Sequence, residues 1–290
     1  MADEAIGIQF VIGLAKEAGG IIKEGFHRSK RTQLKTCPAD LLTEYDKAVE
    51  DFVITRIRDK YPSHVFMAEE SSHDGQHLTD SPTWIIDPID GTTNFVHQLP
   101  FVCISIAFAV QKDILLGVVY NPIMNELWYA EKSKGAYFRR PNDSEPRLIK
   151  TSSKTAIGDA LVSSGACAHI LRRDQKLDII DELEKVVSHN FIAVIKAARD
   201  IRFIASAALN VCFVACGRTD VYFEFGPREW DIAAGMIILK EAGGSISSVG
   251  GQAIDISARN VLCAATEELA NSATSILIDF DMIKLHSIID

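Results

Sequence analysis

The stretch from position 84 to position 94 reads Trp-Ile-Ile-Asp-Pro-Ile-Asp-Gly-Thr-Thr-Asn, and the fold is best approached from it. Its apolar beginning predicts a buried strand that delivers Asp87 at its end. Pro88 removes a ladder donor and forces a turn, and Asp90 follows three residues after Asp87. Gly91 allows close backbone approach where a short helix is predicted to begin. Two carboxylates on one turn can converge on a hard cation, and free amides at a helix start suit a phosphate.

The segments before this stretch predict helices and short strands. Apolar residues at helical spacing indicate a first helix within 5–26, followed by an irregular basic loop over 27–40. Thr43 and Asp46 form a capping signal before a second helix, which Tyr61-Pro62 ends. Strands are predicted at 65–68 and 83–86.

The segments after it alternate between strands and helices without a regular repeat. β-branched and aromatic residues predict a meander over 101–138, with strands at 101–110, 115–120 and 126–130. Beyond it we predict strands at 160–163, near 192–195, and at 220–225, 245–248 and 261–265, and helices at 174–187, 206–216, 231–242 and the C-terminus. Gly243-Gly244 is the predicted cap of the helix before it. The pattern indicates a mixed α/β (α+β) fold of layered sheets and helices with much antiparallel pairing, rather than one doubly wound parallel sheet.

Composition excludes several classes of protein. The chain has 290 residues, 47% of them hydrophobic and 24% charged, as in globular proteins. A net charge of −9 without a long basic block argues against a nucleic-acid or anionic-membrane partner. Six scattered cysteines, an acidic N-terminus and no apolar run long enough to span a bilayer lead us to expect a cytoplasmic protein.

Two further acidic segments fall where strands end or helices begin. Glu69-Glu70 follows a predicted strand, and Asp231 begins a predicted helix. Each alone has an ordinary explanation, as solvated charge or as a helix cap. Together with Asp87 and Asp90 they indicate a site, because ligands gather at such positions in layered α/β proteins.

Three ordered motifs carry a resemblance to a known family. Glu-Glu-Ser at 69–71, the stretch 84–94, and Trp-Asp-Ile-Ala-Ala-Gly at 230–235 resemble the signature set of the inositol monophosphatase family, within the Mg²⁺-dependent, lithium-sensitive sugar phosphatases. Segments 38–43, 61–64, 94–97 and 241–244 also fit. The resemblance implies a single domain over 1–290, an αβαβα layered sandwich of the inositol monophosphatase and fructose-bisphosphatase type. Its closely packed halves would be roughly 1–150 and 151–290, and it would form a homodimer.

The activity implied by the resemblance is Mg²⁺-dependent hydrolysis of myo-inositol monophosphates to myo-inositol and phosphate. Two or three Mg²⁺ ions per subunit would activate the attacking water. The implied metal ligands are Glu70, Asp87, the main-chain carbonyl of Ile89, Asp90 and Asp231. The implied catalytic residues are Glu70, Thr92 and Asp90.

The resemblance also implies contacts to a small phosphorylated polyol. The implied substrate contacts are Gly91, Thr92, Ala205, Ser206, Ala207, Glu224 and Asp231, with Lys35 as a loop contact. The sequence departs from the family pattern at Ala68 and Ala205, where glycines are usual, and at Pro227-Arg-Glu229. These departures concern substrate preference more than metal chemistry.

Several alternatives stay open at this point. A related sugar-phosphate or bisphosphate phosphatase, of the fructose-bisphosphatase or bisphosphate nucleotidase type, would share the metal site. The chain could also be a non-catalytic dimeric scaffold. A cysteine phosphatase would need Cys-x₅-Arg, which occurs at 167–173 and 212–218, but neither copy has a glycine-rich cradle.

Overall fold

The computed structural model describes residues 6–35, 37, 41–73, 76–172 and 177–289. Its helices are α1 (Ile8–Phe26), α2 (Glu44–Lys60), α3 (Thr92–Val96), α4 (Ala168–Leu171), α5 (Asp178–Ala197), α6 (Ala207–Ala215), α7 (Glu229–Glu241), α8 (Glu267–Thr274) and α9 (Met282–Ile289). Its strands are β1 (Thr32–Leu34), β2 (Leu41–Thr43), β3 (Val65–Ala68), β4 (Thr83–Asp90), β5 (Cys103–Val110), β6 (Asp113–Asn121), β7 (Glu126–Glu131), β8 (Ala136–Arg139), β9 (Arg147–Ile149), β10 (Leu161–Ser164), β11 (Asp200–Arg202), β12 (Val221–Phe225), β13 (Ser245–Ser247) and β14 (Asn260–Ala264). No helix among these residues is long and apolar enough to cross a membrane.

Two main sheets organise the described part of the chain. The first has the strand order β3-β4-β5-β6-β7-β8-β9 and is antiparallel except where β3 runs parallel to β4. The second has the order β11-β10-β12-β14-β13 and mixes parallel and antiparallel pairs. This confirms the expectation of layered sheets with much antiparallel pairing.

Helices cover both sheets and fill the space between them. α1 and α2 pack on the outer face of the first sheet, where Val11, Val49 and Trp84 belong to one apolar cluster. α6 and α7 lie between the sheets, and their apolar side chains join residues of both sheets in a central cluster. α5, α8 and α9 cover the far face of the second sheet. The five layers are therefore αβαβα, as predicted.

Strand β4 is irregular where its acids lie. All eight of its residues are buried, and its pairing with β5 shifts register between Asp87 and Asp90. Asp87 faces Ser105 and Asp90 faces Cys103, so three steps along β4 match two along β5. Such a bulge bends the strand and re-aims its side chains. Pro88 falls inside it, where its missing N–H breaks no regular ladder bond.

A close approach between α7 and the first sheet sets the position of Asp231. A Cβ atom at Gly117 of β6 would lie 2.6 Å from the carbonyl oxygen of Ala234, so only glycine allows this packing. Ser105 of β5 also donates a hydrogen bond to the carbonyl oxygen of Trp230, at 3.2 Å. The first turn of α7 is thereby held beside the end of β4.

Three predictions of local structure were wrong. The predicted strand near 192–195 is the last part of α5, whose buried positions Val187, Asn190 and Val194 keep helical spacing. Its β-branched residues favour a strand locally, but packing on that face decides the outcome. The loop predicted at 27–40 contains β1, which pairs with β2, and the single terminal helix is two helices, α8 and α9. β8 and β9, which extend the meander, were not predicted.

Candidate active site

Three carboxylates from two distant parts of the chain meet at the end of β4. Asp87 and Asp90 come from the bulge, and Asp231 comes from the first turn of α7. One oxygen atom of each lies within 4.8 Å of the others. Asp87 is 1% exposed and Asp90 is 7% exposed. The fold thus gathers three carboxyl groups, two of them buried, at one point.

Burial and mutual repulsion make ionisation of this cluster unfavourable in the absence of a cation. Burial, followed by the charges of Glu69, Asp90 and Asp231, raises the pKa of Asp87. Burial and the charge of Asp90 raise the pKa of Asp231 in the same way. Burial raises the pKa of Asp90 to about 6, against the opposing effect of its hydrogen bonds.

The donor set fits a hard divalent cation. Oδ1 of Asp87 is buried and accepts no hydrogen bond from any described residue. A buried oxygen without a partner is costly unless something else binds it. Oxygen ligands on three converging carboxylates are what Mg²⁺ and Ca²⁺ prefer, and a divalent charge would offset the repulsion among them.

Asp90 is held by the N-terminus of α6. Its Oδ2 accepts hydrogen bonds from the Ser206 hydroxyl at 2.6 Å and from the Ala208 N–H at 2.8 Å. The Ala207 N–H lies 3.3 Å from Oδ1. Ser206 also caps α6 through the N–H of Leu209, at 3.3 Å. The structure thus places Ser206 and Ala207, two of the implied substrate contacts, against a carboxylate of the cluster.

Ala205 has an unusual backbone conformation just before this cap. Its φ is +56°, in the left-handed region where glycine is favoured. Its carbonyl oxygen accepts a hydrogen bond from the Asn94 side chain at 3.2 Å, and the same amide group donates to Ile204 at 2.8 Å. Asn94 therefore ties the end of the 84–94 stretch to the loop that carries Ala205. Ala68, the other position at which the family usually has glycine, lies in β3 and pairs with Ile86 of β4.

Gly91 and Thr92 form the start of α3 beside the cluster. Gly91 has a φ of +89°, and a Cβ atom there would lie 2.7 Å from the carbonyl oxygen of Phe101. The Thr92 hydroxyl lies 3.1 Å from the carbonyl oxygen of Ile89 and 3.3 Å from Oδ1 of Asp46. Both oxygens are acceptors, so this hydroxyl can donate to either of them.

Asp46 is a residue of the site that sequence reasoning missed. We interpreted it as part of the capping box of α2, which it is, since the Thr43 N–H donates to its Oδ2 at 2.9 Å. Its second oxygen faces Thr92 from a fully buried position. Burial raises the pKa of Asp46 to about 6. The available signal was a buried acid on the apolar face of a helix.

Glu70 lies outside the group of three converging carboxylates and pairs with Lys35. The Lys35 Nζ atom lies 2.6 Å from Oε1 of Glu70 and 2.8 Å from Oε1 of Glu69. Burial opposes protonation of Lys35, but these two carboxylates outweigh it and raise its pKa. Burial, followed by the charge of Glu69, raises the pKa of Glu70 to about 7. Glu69 is not among the implied metal ligands, yet its charge acts on Asp87, Asp90 and Asp231 as well.

Glu224 lies in β12, where its carboxyl group packs against Gly165, the residue after β10. The Tyr222 hydroxyl donates a hydrogen bond to its Oε2 at 2.5 Å. A Cβ atom at Gly165 would lie 1.8 Å from Oε1 of Glu224, so only glycine leaves room for this carboxyl group. Burial raises the pKa of Glu224 to about 7, with the charge of Asp90 adding to it.

The cysteine alternative finds no support among the described residues. Cys212 is fully buried within α6, and burial raises the pKa of its thiol. Burial and the charge of Glu224 do the same at Cys167. A nucleophilic cysteine needs the opposite shift. Arg218 makes a two-pronged ion pair with Glu126, and Arg173 lies outside the described residues.

Comparisons with known proteins agree with the fold. The sequence model of the inositol monophosphatase family matches residues 4–278. The chain is 41% identical to inositol monophosphatase 3 of Solanum lycopersicum, over 88% of this chain and 90% of that protein. It is 38% identical to inositol monophosphatase 1 of Homo sapiens, over 91% of each.

Solved structures give the same result. The extragenic suppressor protein suhB of Bartonella henselae superposes with a TM-score of 0.79 at 29% identity, covering 93% of this chain and 97% of that one. The IMPase of Thermotoga maritima gives a TM-score of 0.75 at 30% identity, covering 98% and 99%. Layered fold, acidic cluster and sequence relatives together define a phosphoric monoester hydrolase. The chain belongs to the inositol monophosphatase family, which implies a divalent metal cofactor and a phosphorylated substrate.

Proposed function

We propose that this protein hydrolyses myo-inositol monophosphates to myo-inositol and inorganic phosphate with Mg²⁺ as its cofactor. The observation that carries the proposal is the convergence of Asp87, Asp90 and Asp231 within 4.8 Å beside Gly91-Thr92. The relatives named inositol monophosphatase supply the substrate class. The solved structure of inositol monophosphate-bound SaIMPase-II, at a TM-score of 0.72 and 26% identity, has a similar fold and contains inositol monophosphate.

The metal ligands we propose are all oxygen atoms. We propose two or three Mg²⁺ ions per subunit. The first would be held by Glu70, Asp87 and the main-chain carbonyl of Ile89, and the second by Asp87, Asp90 and Asp231. A third ion would also bind Glu70. When bound, these ions supply positive charge for the phosphate and make a water molecule more acidic. The described contact of Glu70 with Lys35 uses Oε1, so Oε2 would be the oxygen that binds a cation.

The residues around Thr92 can orient water and accept its proton. The Thr92 hydroxyl, poised between Ile89 and Asp46, can accept a hydrogen bond from the attacking water while donating its own proton to Oδ1 of Asp46. Asp46 has a pKa of about 6, so it is mostly ionised at neutral pH and able to receive that proton. Glu70 would orient the same water from the other side.

The substrate would lie between α3 and β12. Main-chain amides of Gly91 and Thr92 would donate to phosphate oxygens. Glu224 would accept hydrogen bonds from ring hydroxyls, with Asp231 beside it. The loop of Ala205, Ser206 and Ala207 would contact the ring mainly through its main chain, because the Ser206 hydroxyl is bonded to Asp90. Lys35 would contact the substrate from its loop.

We also propose a cytoplasmic, lithium-sensitive homodimer. Ile192 and Ile195 lie on one side of α5 and are 52% and 64% exposed. Phe203 is 52% exposed and its ring meets that of Phe191 at 5.1 Å, which places it beside the same helix. Exposed apolar side chains grouped in this way favour a second copy as partner. Light scattering of the purified chain would give the mass, and a monomer would remove this part of the proposal.

The test of the activity is phosphate release from myo-inositol 1-phosphate with and without Mg²⁺. Asp87→Asn should lower kcat by about 100-fold or more, because it removes a charged oxygen ligand shared by two ions. Asp59→Asn, an exposed position on α2, is the matched control and should leave kcat unchanged. Turnover without metal, or an unimpaired Asp87→Asn, would show the metal mechanism to be wrong.

A panel of esters separates the substrate from the reaction class. Fructose 1,6-bisphosphate, adenosine 3′,5′-bisphosphate and galactose 1-phosphate represent the other phosphatases considered above. If one of these exceeds myo-inositol 1-phosphate by orders of magnitude in kcat/KM, the inositol assignment fails but the hydrolase class stands. Absence of turnover on the whole panel would favour the non-catalytic scaffold.

A further inference from the structure

Helix α2 has two acidic residues on the face that it buries. Asp46 is 0% exposed and Glu50 is 2% exposed, although both are ionisable. They lie on the same stripe as Val49, Val53 and Ile57, which pack into the core below the first sheet. Residues four apart on a helix are neighbours on its surface, about 6 Å apart along the axis. The helix thus presents two carboxylates side by side.

The two carboxylates contact the two residues that we propose to orient the attacking water, Thr92 and Glu70. Asp46 faces the Thr92 hydroxyl at 3.3 Å. Glu50 accepts a hydrogen bond from the main-chain N–H of Glu70, with its Oε2 at 2.8 Å from that nitrogen. One rigid helical turn therefore separates the contacts to Thr92 and Glu70, which come from different segments of the chain.

The turn that carries Glu70 has its other anchors away from that residue. Ser72 closes the turn on Ala68, with its N–H donating to the Ala68 carbonyl and its hydroxyl accepting from the Ala68 N–H, both at 2.8 Å. The Glu69 N–H donates to the carbonyl oxygen of Ile86 in β4, at 3.1 Å. Among the described hydrogen bonds of this turn, the one that the Glu70 N–H donates to Glu50 fixes the Glu70 main chain. The Ser71 side chain also hydrogen-bonds the Glu50 carboxylate.

Glu50 is an expensive residue to bury at this place. A carboxylate taken out of water costs free energy that an apolar side chain on the same stripe would not. Its acceptor oxygen is directed at the main chain beside a proposed metal ligand. Residues that orient a ligand in this way commonly change metal affinity when they are removed.

We propose that Glu50 is a positioning residue that, through α2, sets the place of Glu70 relative to Thr92 and so tunes binding of the divalent cation. The proposal rests on the proposed function, because Glu70 is a metal ligand only there. Glu50 acts through the length of its side chain. Its carboxylate reaches the Glu70 N–H and accepts a hydrogen bond from it, whereas the shorter side chain of aspartate would not reach.

Two substitutions separate reach from charge. Glu50→Gln keeps the length and an acceptor oxygen but loses the charge, and Glu50→Asp keeps the charge but is one methylene shorter. Glu50→Ala loses both. Asp51→Ala is the matched control, since Asp51 is the next residue, exposed, and paired only with the exposed Lys47 among the described ion pairs.

The measurement is equilibrium binding of Mn²⁺ to the full-length protein without substrate, followed by the electron paramagnetic resonance signal of the free ion. Glu50→Ala and Glu50→Asp should weaken the affinity by about 10–100-fold. Glu50→Gln should stay close to wild type, and Asp51→Ala should equal it. Thermal unfolding of the same metal-free variants reports any loss of the fold.

The opposite pattern would overturn the proposal. If Glu50→Asp binds Mn²⁺ as wild type does and Glu50→Gln does not, the effect is one of charge rather than position. Wild-type affinity in Glu50→Ala, with or without a lower melting temperature, would show that Glu50 is only structural. Because metal binding is measured without turnover, a failure of the inositol phosphatase assay stays distinguishable from a failure of this proposal.

Discussion

Replacing Glu224 by glutamine should change how stability depends on pH. Burial raises the pKa of Glu224 from 4.5 to about 7 in the folded chain. The folded state therefore holds this proton more tightly than the unfolded state does. The resulting stability is fully present below pH 4.5 and is lost as the pH rises through about 7.

The size of the effect follows from that pKa change. One pKa unit corresponds to about 1.4 kcal/mol, so ionisation of Glu224 costs the folded state about 3 kcal/mol at pH 8. A glutamine side chain at this position would resemble the protonated carboxyl group and can still accept the hydrogen bond of the Tyr222 hydroxyl. Glu224→Gln should therefore exceed wild type by less than about 1 kcal/mol at pH 5 and by about 3 kcal/mol at pH 8.

Urea unfolding in EDTA, repeated between pH 5 and pH 8, measures this difference without interference from metal. A long chain gains about 2 °C in melting temperature per kcal/mol, so a calorimeter should show about 6 °C at pH 8. Glu184→Gln, at an exposed position on α5, is the control and should follow wild type at every pH. Parallel pH profiles for wild type and Glu224→Gln would refute the reasoning, because the carboxyl group would then not be buried in its acidic form.

Two other substitutions test the backbone and the core. Ala205→Gly should leave the free energy of unfolding unchanged or raise it by up to about 1 kcal/mol, because glycine relieves a left-handed conformation. The control Ala15→Gly, inside α1, should lower the free energy of unfolding by about 1 kcal/mol or more. Equal losses for the two variants in urea unfolding would contradict the strain at Ala205. Glu126→Ala should cost about 2–4 kcal/mol, because it leaves the Arg218 guanidinium, 28% exposed, without its carboxylate. If the free energy of unfolding falls by less than about 1 kcal/mol in the same assay, the aromatic rings around Arg218 stabilise its charge without Glu126.

The layered fold could be predicted from the sequence because its strongest signals are local. The buried β4 ends at two acids, and Thr43 with Asp46 marks the start of α2, and both features are visible in a few residues. The strand predicted near 192–195 failed because local β-propensity at 191–195 competes with a helical face that packs only in the folded chain. That competition is decided by residues far away in the sequence.

The site was predictable to the extent that its residues belong to compact motifs. Asp87, Asp90 and Asp231 stand in such motifs, and the structure brings them together. Asp46 and Glu50 do not. Their place on the apolar face of α2 marks them as acids that the fold buries, but their role is not visible until their partners Thr92 and Glu70 are known. The left-handed φ of Ala205 was not predicted, because alanine, unlike glycine, is disfavoured in that conformation.

The bond between Asp90 and the cap of α6 also bears on how the molecule assembles. Ser206 and Ala208 are 116 and 118 residues away from Asp90 along the chain, and Asp231 is farther still. The acidic cluster therefore does not exist in a newly synthesised N-terminal segment, however well its own sheet has formed. Contacts of such long range form late and slowly. Tight binding of a divalent ion would therefore require that α6 and α7 have already packed between the sheets, so metal binding would be coupled to the last stage of folding.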